Sequence, residues 1–282
     1  MAKPPTKPST KQPEADGEQT GTLPAVCLLV MAFGLHEEAP LVVAANRDER
    51  LDRRATAMTV LRHAHPRILG GRDEEAGGTW LALNEHGLVA GLTNRPLPDG
   101  RDPAKRTRGE LPLALASHTR AADAVSDFVE RVSPADYNPA WFLVGDRESL
   151  FFIDMSDGPR PLVEPLGPGL YVLENNPLHA PSWKADHVRS LLGDTAGLTA
   201  DELTGGLRVL LADHETAVLG PASPPGRRPE TLAACVHTDT YGTRSSTLIL
   251  VPLRTEARPE VSYADGHPCT APFVDAGGLW ST

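Results

Sequence analysis

Cysteine is scarce in this chain. Its 282 residues hold three, Cys27, Cys235 and Cys269, and no two share a CxxC spacing. That pattern is neither a disulfide framework nor a zinc finger, and it suits a reducing compartment. The expectation is a cytoplasmic location with no metal and no cofactor. Long apolar runs are missing too: no stretch approaches 18 apolar residues, so no membrane span is expected. Basic clusters are short, Arg53-Arg54 and Arg227-Arg228, and the formal charge is -10. A nucleic-acid partner needs clustered cations and is therefore excluded. There is no GxGxxG, P-loop or HExxH, and His63, His65 and His86 fall singly in loop-like sequence.

What is present reads as a globular chain after a polar preamble. Residues 1–24 are rich in Pro, Thr, Lys and Gln and almost free of large apolar side chains. Such a segment buries too little surface to order itself, so it is expected to be a disordered tail or a mis-annotated start. It lacks the apolar core of a secretory signal. Residues 25–282 are expected to form a single domain.

Val26-Cys27-Leu28-Leu29-Val30-Met31-Ala32-Phe33 is a continuous apolar run, the pattern of a strand buried on both faces. A second run, Leu41–Ala45, follows a short polar turn, so the two predict a hairpin. It ends directly in Asn46-Arg47-Asp48-Glu49. Strands are expected at 79–84, 88–94, 141–145, 150–154, 170–173 and 246–251, with an edge strand at 261–264. Helical spacing covers 109–118, 120–132, 183–192 and 199–213, the last with Thr199 and Glu202 as a capping box. Gly220–Pro229 reads as a surface-loop insertion. Strands, a helix pair, strands, a helix pair and strands again give an α+β chain of antiparallel sheets covered by helices.

Cys27 heads the first strand. A buried free cysteine is more often a small hydrophobe than a nucleophile. Its neighbours change the balance, because Arg47 and Asp48 end the neighbouring strand of the hairpin. An Arg near a thiol favours the thiolate, and Cys27 is expected to alkylate faster than Cys235 or Cys269. Asn46–Glu49 taken alone could be a solvated turn or a helix cap. Asn94 and Asn175-Asn176 at strand ends read first as turn residues and secondly as amide donors to an oxyanion. Tyr241–Thr247 offers Arg244 and several hydroxyls, either a polar turn or an anion clamp.

On these residues the chain resembles the NRDE family, also called the transport-and-Golgi-organisation protein 2 family. The matching blocks are Cys27-Leu28-Leu29, Ala44–Glu49, Gly77-Gly78-Thr79-Trp80-Leu81, Leu92-Thr93-Asn94, Arg108-Gly109-Glu110-Leu111 and Tyr241–Thr247. A more distant likeness is to the bile-salt hydrolase and penicillin acylase branch of the N-terminal nucleophile hydrolases. That likeness implies a four-layer αββα sandwich. It also implies a cysteine hydrolase acting on a linear amide or related acyl bond, whose nucleophile uses its own α-amino group as base. Cys27 would be the nucleophile, with Arg47 and Asp48 beside it. Asn94 and Asn175 would be oxyanion donors and Arg244 a distal Arg. Two features depart from that branch: Cys27 is preceded by 26 residues, and Arg47 and Asp48 are adjacent. The mechanism therefore requires either removal of the preceding residues or a start at Val26. The alternative implied by the NRDE likeness is a non-catalytic haem- or lipid-handling protein. The expected partner is a small-molecule substrate or ligand, haem among the candidates.

Overall fold

The structure is a computed structural model that describes residues 27–156, 158–195, 197–218 and 229–281. The preamble expected to be disordered, and most of the Gly220–Pro229 insertion, lie outside those residues. One sheet contains β1 (Leu28–Phe33), β2 (Leu41–Arg50), β10 (Gly169–Leu173), β11 (Tyr241–Val251), β12 (Glu260–Asp265) and β13 (Val274–Asp275). Its spatial order is β10-β1-β2-β11-β12-β13. The second contains β3 (Ala55–Arg62), β4 (Ile68–Asp73), β5 (Leu81–Asn84), β6 (Val89–Asn94), β7 (Ala140–Gly145), β8 (Leu150–Asp154) and β9 (Leu162–Leu166), paired in chain order. Every pairing is antiparallel. The helices are α1 (Glu110–Leu115), α2 (Ala121–Arg131), α3 (Trp183–Leu192) and α4 (Ala200–Leu211). Among the described residues no helix is long and apolar enough to cross a membrane.

Three apolar layers explain the stacking. Leu29, Met31, Val43, Leu81, Val89, Leu143 and Ile249 meet between the two sheets. On the far face of the second sheet, Ala82, Ala90, Phe142 and Val144 pack on Leu111, Leu115, Val125 and Phe128 of α1 and α2. On the far face of the first, Leu28, Val30, Val42, Ala44 and Leu248 pack on α3 and α4. Central strands covered on both faces must be apolar on both, which is why β1 and β7 read as unbroken apolar runs. The architecture is the four-layer αββα sandwich of an α+β protein. Thr199 and Glu202 form the expected capping box at the start of α4.

The polar run departs from expectation. β2 runs on through Asn46–Arg50 as paired strand, and β11 begins at Tyr241 rather than Ser246. The two polar stretches pair with each other, Asn46 opposite Ser246 and Asp48 opposite Thr243. Each supplies the hydrogen bonds that allow the other to be buried in a sheet. The Asn46 amide nitrogen donates to the carbonyls of Leu211 and Ala234, at 2.9 and 2.8 Å, while its oxygen accepts from Ser246 at 2.5 Å. That one side chain ties β2 to the end of α4 and to the segment leading into β11. Strands β3, β4 and β9 had no clean period-2 signature: β4 carries Gly70-Gly71 and β9 carries Pro165.

Candidate functional site

The site forms where the ends of β1, β2, β6 and β10 meet. Leu28 pairs with Asn46, and Leu29 with Leu173, so Cys27 lies beside Arg47 on one flank and Asn175 on the other. The Cys27 backbone N–H donates to Asn175 Oδ1 at 2.9 Å, and Asn175 Nδ2 donates to the Asn94 carbonyl at 2.5 Å. Asn175 thus clamps the residue that heads β1 in the first sheet to the end of β6 in the second. A cleft of about 680 Å³ opens here, and Cys27, Arg47, Asp48, Asn94 and Asn175 all line it.

Two glycine-bearing segments build its wall. Gly78 has a left-handed φ of 80°, and a Cβ there would lie 2.4 Å from the Gly109 carbonyl carbon. Glycine therefore lets these backbones touch, and Thr79 N–H donates to Gly109 O at 2.8 Å. The contact holds Arg108 over the cleft. Its guanidinium donates to the Pro139 carbonyl at 2.9 Å, and burial, then nearby Arg101, pulls its pKa down to about 10. The charge of Cys27 acts on Arg108 in the opposite direction. Sequence reasoning gave Arg108 no role, although it stands at the head of the Arg108–Leu111 block.

The electrostatics of Cys27 differ from expectation. Burial pushes its thiol from an ordinary 9.0 up to about 12, and the Asp48 carboxylate pushes the same way. Arg47 and the Asp48 backbone N–H oppose them without prevailing. Arg47 is weakened as an activator because its charge is shared. It lies 3.4 Å from Asp73 and 3.8 Å from Glu49, and Arg53 joins the same two carboxylates. Cys27 is 5% exposed, whereas Cys269 is exposed.

Asp48 is fully buried and accepts from Thr243 Oγ1 at 2.5 Å. Its other oxygen has no hydrogen-bond partner among the described residues. Burial raises its pKa to about 7, against the opposing pull of Lys184, Thr243 and Arg47. Lys184, in α3, is itself 2% exposed, and its Nζ has no hydrogen-bond partner among the described residues. It went unnoticed in the sequence because a lysine in an amphipathic helix ordinarily faces water.

Arg244 is not brought to the cleft. It occupies the irregular step of β11 between Thr243 and Ser245, and its guanidinium donates to the Leu51 carbonyl. A bulge adds a residue and re-aims the side chain, which here acts on His267 rather than Cys27. The cleft is nevertheless strongly cationic, with eight Arg and Lys side chains lining it against three Asp and Glu. That is the reverse of the chain's overall charge.

The transport and Golgi organisation 2 family model matches residues 26–259. The transport and Golgi organization 2 homolog of Mus musculus is 31% identical over 233 residues, covering 75% of this chain and 82% of the relative. The Bos taurus homolog is 32% identical over 248 residues, covering 80% and 83%. Among solved structures, a mutant conjugated bile acid hydrolase from Clostridium perfringens aligns with TM-score 0.45 and 11% identity over 90% of this chain and 93% of that one. A Caenorhabditis elegans ortholog of N-acylethanolamine-hydrolyzing acid amidase aligns with TM-score 0.48 and 13% identity over 79% and 92%. By the family model and these relatives, the chain belongs to the transport and Golgi organisation 2 family.

Proposed function

We propose that the protein is a cysteine N-terminal nucleophile hydrolase for small N-acyl compounds bearing an anionic group. The observation that carries this reading is the meeting of Cys27, its backbone nitrogen and Asn175 beside the half-buried Arg108 in a cationic cleft. With the preceding residues attached, Cys27 has a protonated thiol and an amide nitrogen that cannot accept a proton. Removing those residues turns that nitrogen into an amine, held by Asn175, beside the sulfur. The amine takes the thiol proton as sulfur attacks the acyl carbon. The second N–H of Asn175 and the Asn94 amide donate to the oxyanion. The C–N bond then breaks, the amine leaves with the proton, and water hydrolyses the thioester. Asp48 and Arg47 are positioning residues for the amine and the strand end. Arg108 and Arg101 supply the anion site, since guanidinium pairs with carboxylate or phosphate in bidentate geometry. The free thiols suit a cytoplasmic setting.

The haem- or lipid-handling alternative is favoured by one observation, the buried, protonated thiol whose own nitrogen is an amide in the uncut chain. In that reading the same cleft holds an anionic ligand without turnover. Hydrolysis of N-acyl amino acids and of matched N-acyl amines lacking the carboxylate separates the two. A chain beginning at Cys27 is expected to cleave the acidic series preferentially. No turnover by that chain, with haem or acyl-lipid binding that survives Cys27→Ser, rejects the hydrolase.

A further inference from the structure

At the start of β11, outside the lining of the cleft, three chemistry-bearing side chains come together from separate segments. His214 follows α4, His237 precedes β11, and Cys269 follows β12. One donor atom from each lies within 4.8 Å of the other two, and Cys269 Sγ is 3.9 Å from His237 Nδ1. In a tetrahedral zinc site, bond lengths near 2.0–2.1 Å to nitrogen and 2.3 Å to sulfur put donors about 3.4–3.6 Å apart. All three side chains are exposed, so small rotations about their own bonds close the difference.

The surroundings are arranged as ligands require. His214 Nδ1 lies 3.0 Å from the Cys235 carbonyl. Donating there fixes the tautomer and leaves Nε2 as a free ligand, the usual second contact of a metal-bound histidine. The His237 ring rests on His267, with centroids 3.8 Å apart. His267 fits because residue 242 is glycine: a Cβ there would come within 2.8 Å of its ring. Cys235 N–H donates to the Asp213 carbonyl at 2.8 Å, which sets the His214 and His237 segments side by side.

The geometry points to a surface site for a zinc-type divalent cation, held by His214, His237 and Cys269. Two imidazoles and one thiolate form a borderline-soft set that selects zinc or its analogues over magnesium or calcium. Water takes the fourth tetrahedral position, beside the buried Cys235 thiol that hydrogen-bonds Cys269. Such an ion would staple the segment entering β11 to the turn after β12.

Cobalt(II) is the probe, added to the full-length, metal-free, reduced chain under a phosphine reductant. The expected result is one cobalt per chain, with visible bands of tetrahedral intensity and a near-ultraviolet thiolate charge-transfer band. Cys269→Ser should abolish the charge-transfer band, and His214→Gln should weaken binding at least about tenfold. Both residues are exposed, so both variants should keep the wild-type melting temperature without metal. Absence of tetrahedral bands in the wild type overturns the assignment. So does a charge-transfer band that survives Cys269→Ser, or one that disappears in Cys27→Ser instead.

Discussion

Replacing Asp48 by Asn should remove a distinct pH dependence from the stability of the fold. Burial holds the Asp48 carboxyl at about 7 instead of its ordinary 3.8. Below about pH 4 the group is protonated whether folded or unfolded, so it contributes no slope. Between about 4 and 7 the folded chain keeps a proton that the unfolded chain releases. Stability therefore falls as pH rises through that window and levels off above it. At ~1.4 kcal/mol per pH unit, the cost reaches roughly 4 kcal/mol by neutral pH. Asn is isosteric, can still accept from Thr243 and has no charge to bury. It also deprives Lys184 of its counter-charge, which offsets part of the gain, so the slope is the informative quantity. Urea unfolding at intervals from pH 4.5 to 8 measures it. Histidines titrate in both proteins and cancel in the difference. Parallel curves for wild type and Asp48→Asn would refute the claim that this carboxyl is held protonated by burial.

Two further outcomes follow from the same structure. Iodoacetamide at neutral pH should modify Cys269 first in the metal-free full chain. A thiol moved from 9.0 to about 12 has on the order of a thousandfold less thiolate, and burial limits access as well; peptide mapping that finds Cys27 labelled first contradicts this. Asn46→Ala strands the buried Leu211 and Ala234 carbonyls and should cost about 2–4 kcal/mol in urea unfolding with little change in m. A cost under ~0.5 kcal/mol would show that the tie is dispensable.

Much of the architecture was legible in the sequence because buried strands advertise themselves. Leu28–Phe33 and Leu41–Ala45 are apolar on both faces, and they pair as read. The four helices carried their stripes, and Thr199 announced its cap. What failed was the rule that a polar run ends a strand. Asn46–Arg50 continues β2 because Thr243, Ser245 and Ser246 face it across the sheet, nearly two hundred residues later. Such compensation is a tertiary fact that no local window contains. The placing of Cys27, Arg47, Asp48, Asn94 and Asn175 around one cleft follows from strand ends that the sequence did mark. Arg244 went astray because a one-residue bulge in β11 redirects it. Lys184, Arg108 and the His214–His237–Cys269 group stayed hidden for a shared reason. Their significance comes from burial or from neighbours on other segments, and neither is written in spacing.

Cys27 should form an acyl-enzyme once its own nitrogen is a free amine. The direct measurement is intact mass, with peptide mapping, of the chain beginning at Cys27 after brief reaction with an N-acyl amino acid and an acid quench. The expected result is an added acyl group on the Cys27 peptide of that chain, none on the chain that retains the preceding residues, and none on a chain beginning at Cys27 whose thiol was alkylated beforehand. Equal acylation of the cut and uncut chains would contradict the amine's role as base. Hydrolysis of the substrate with the acyl group trapped on another residue would remove Cys27 from the mechanism.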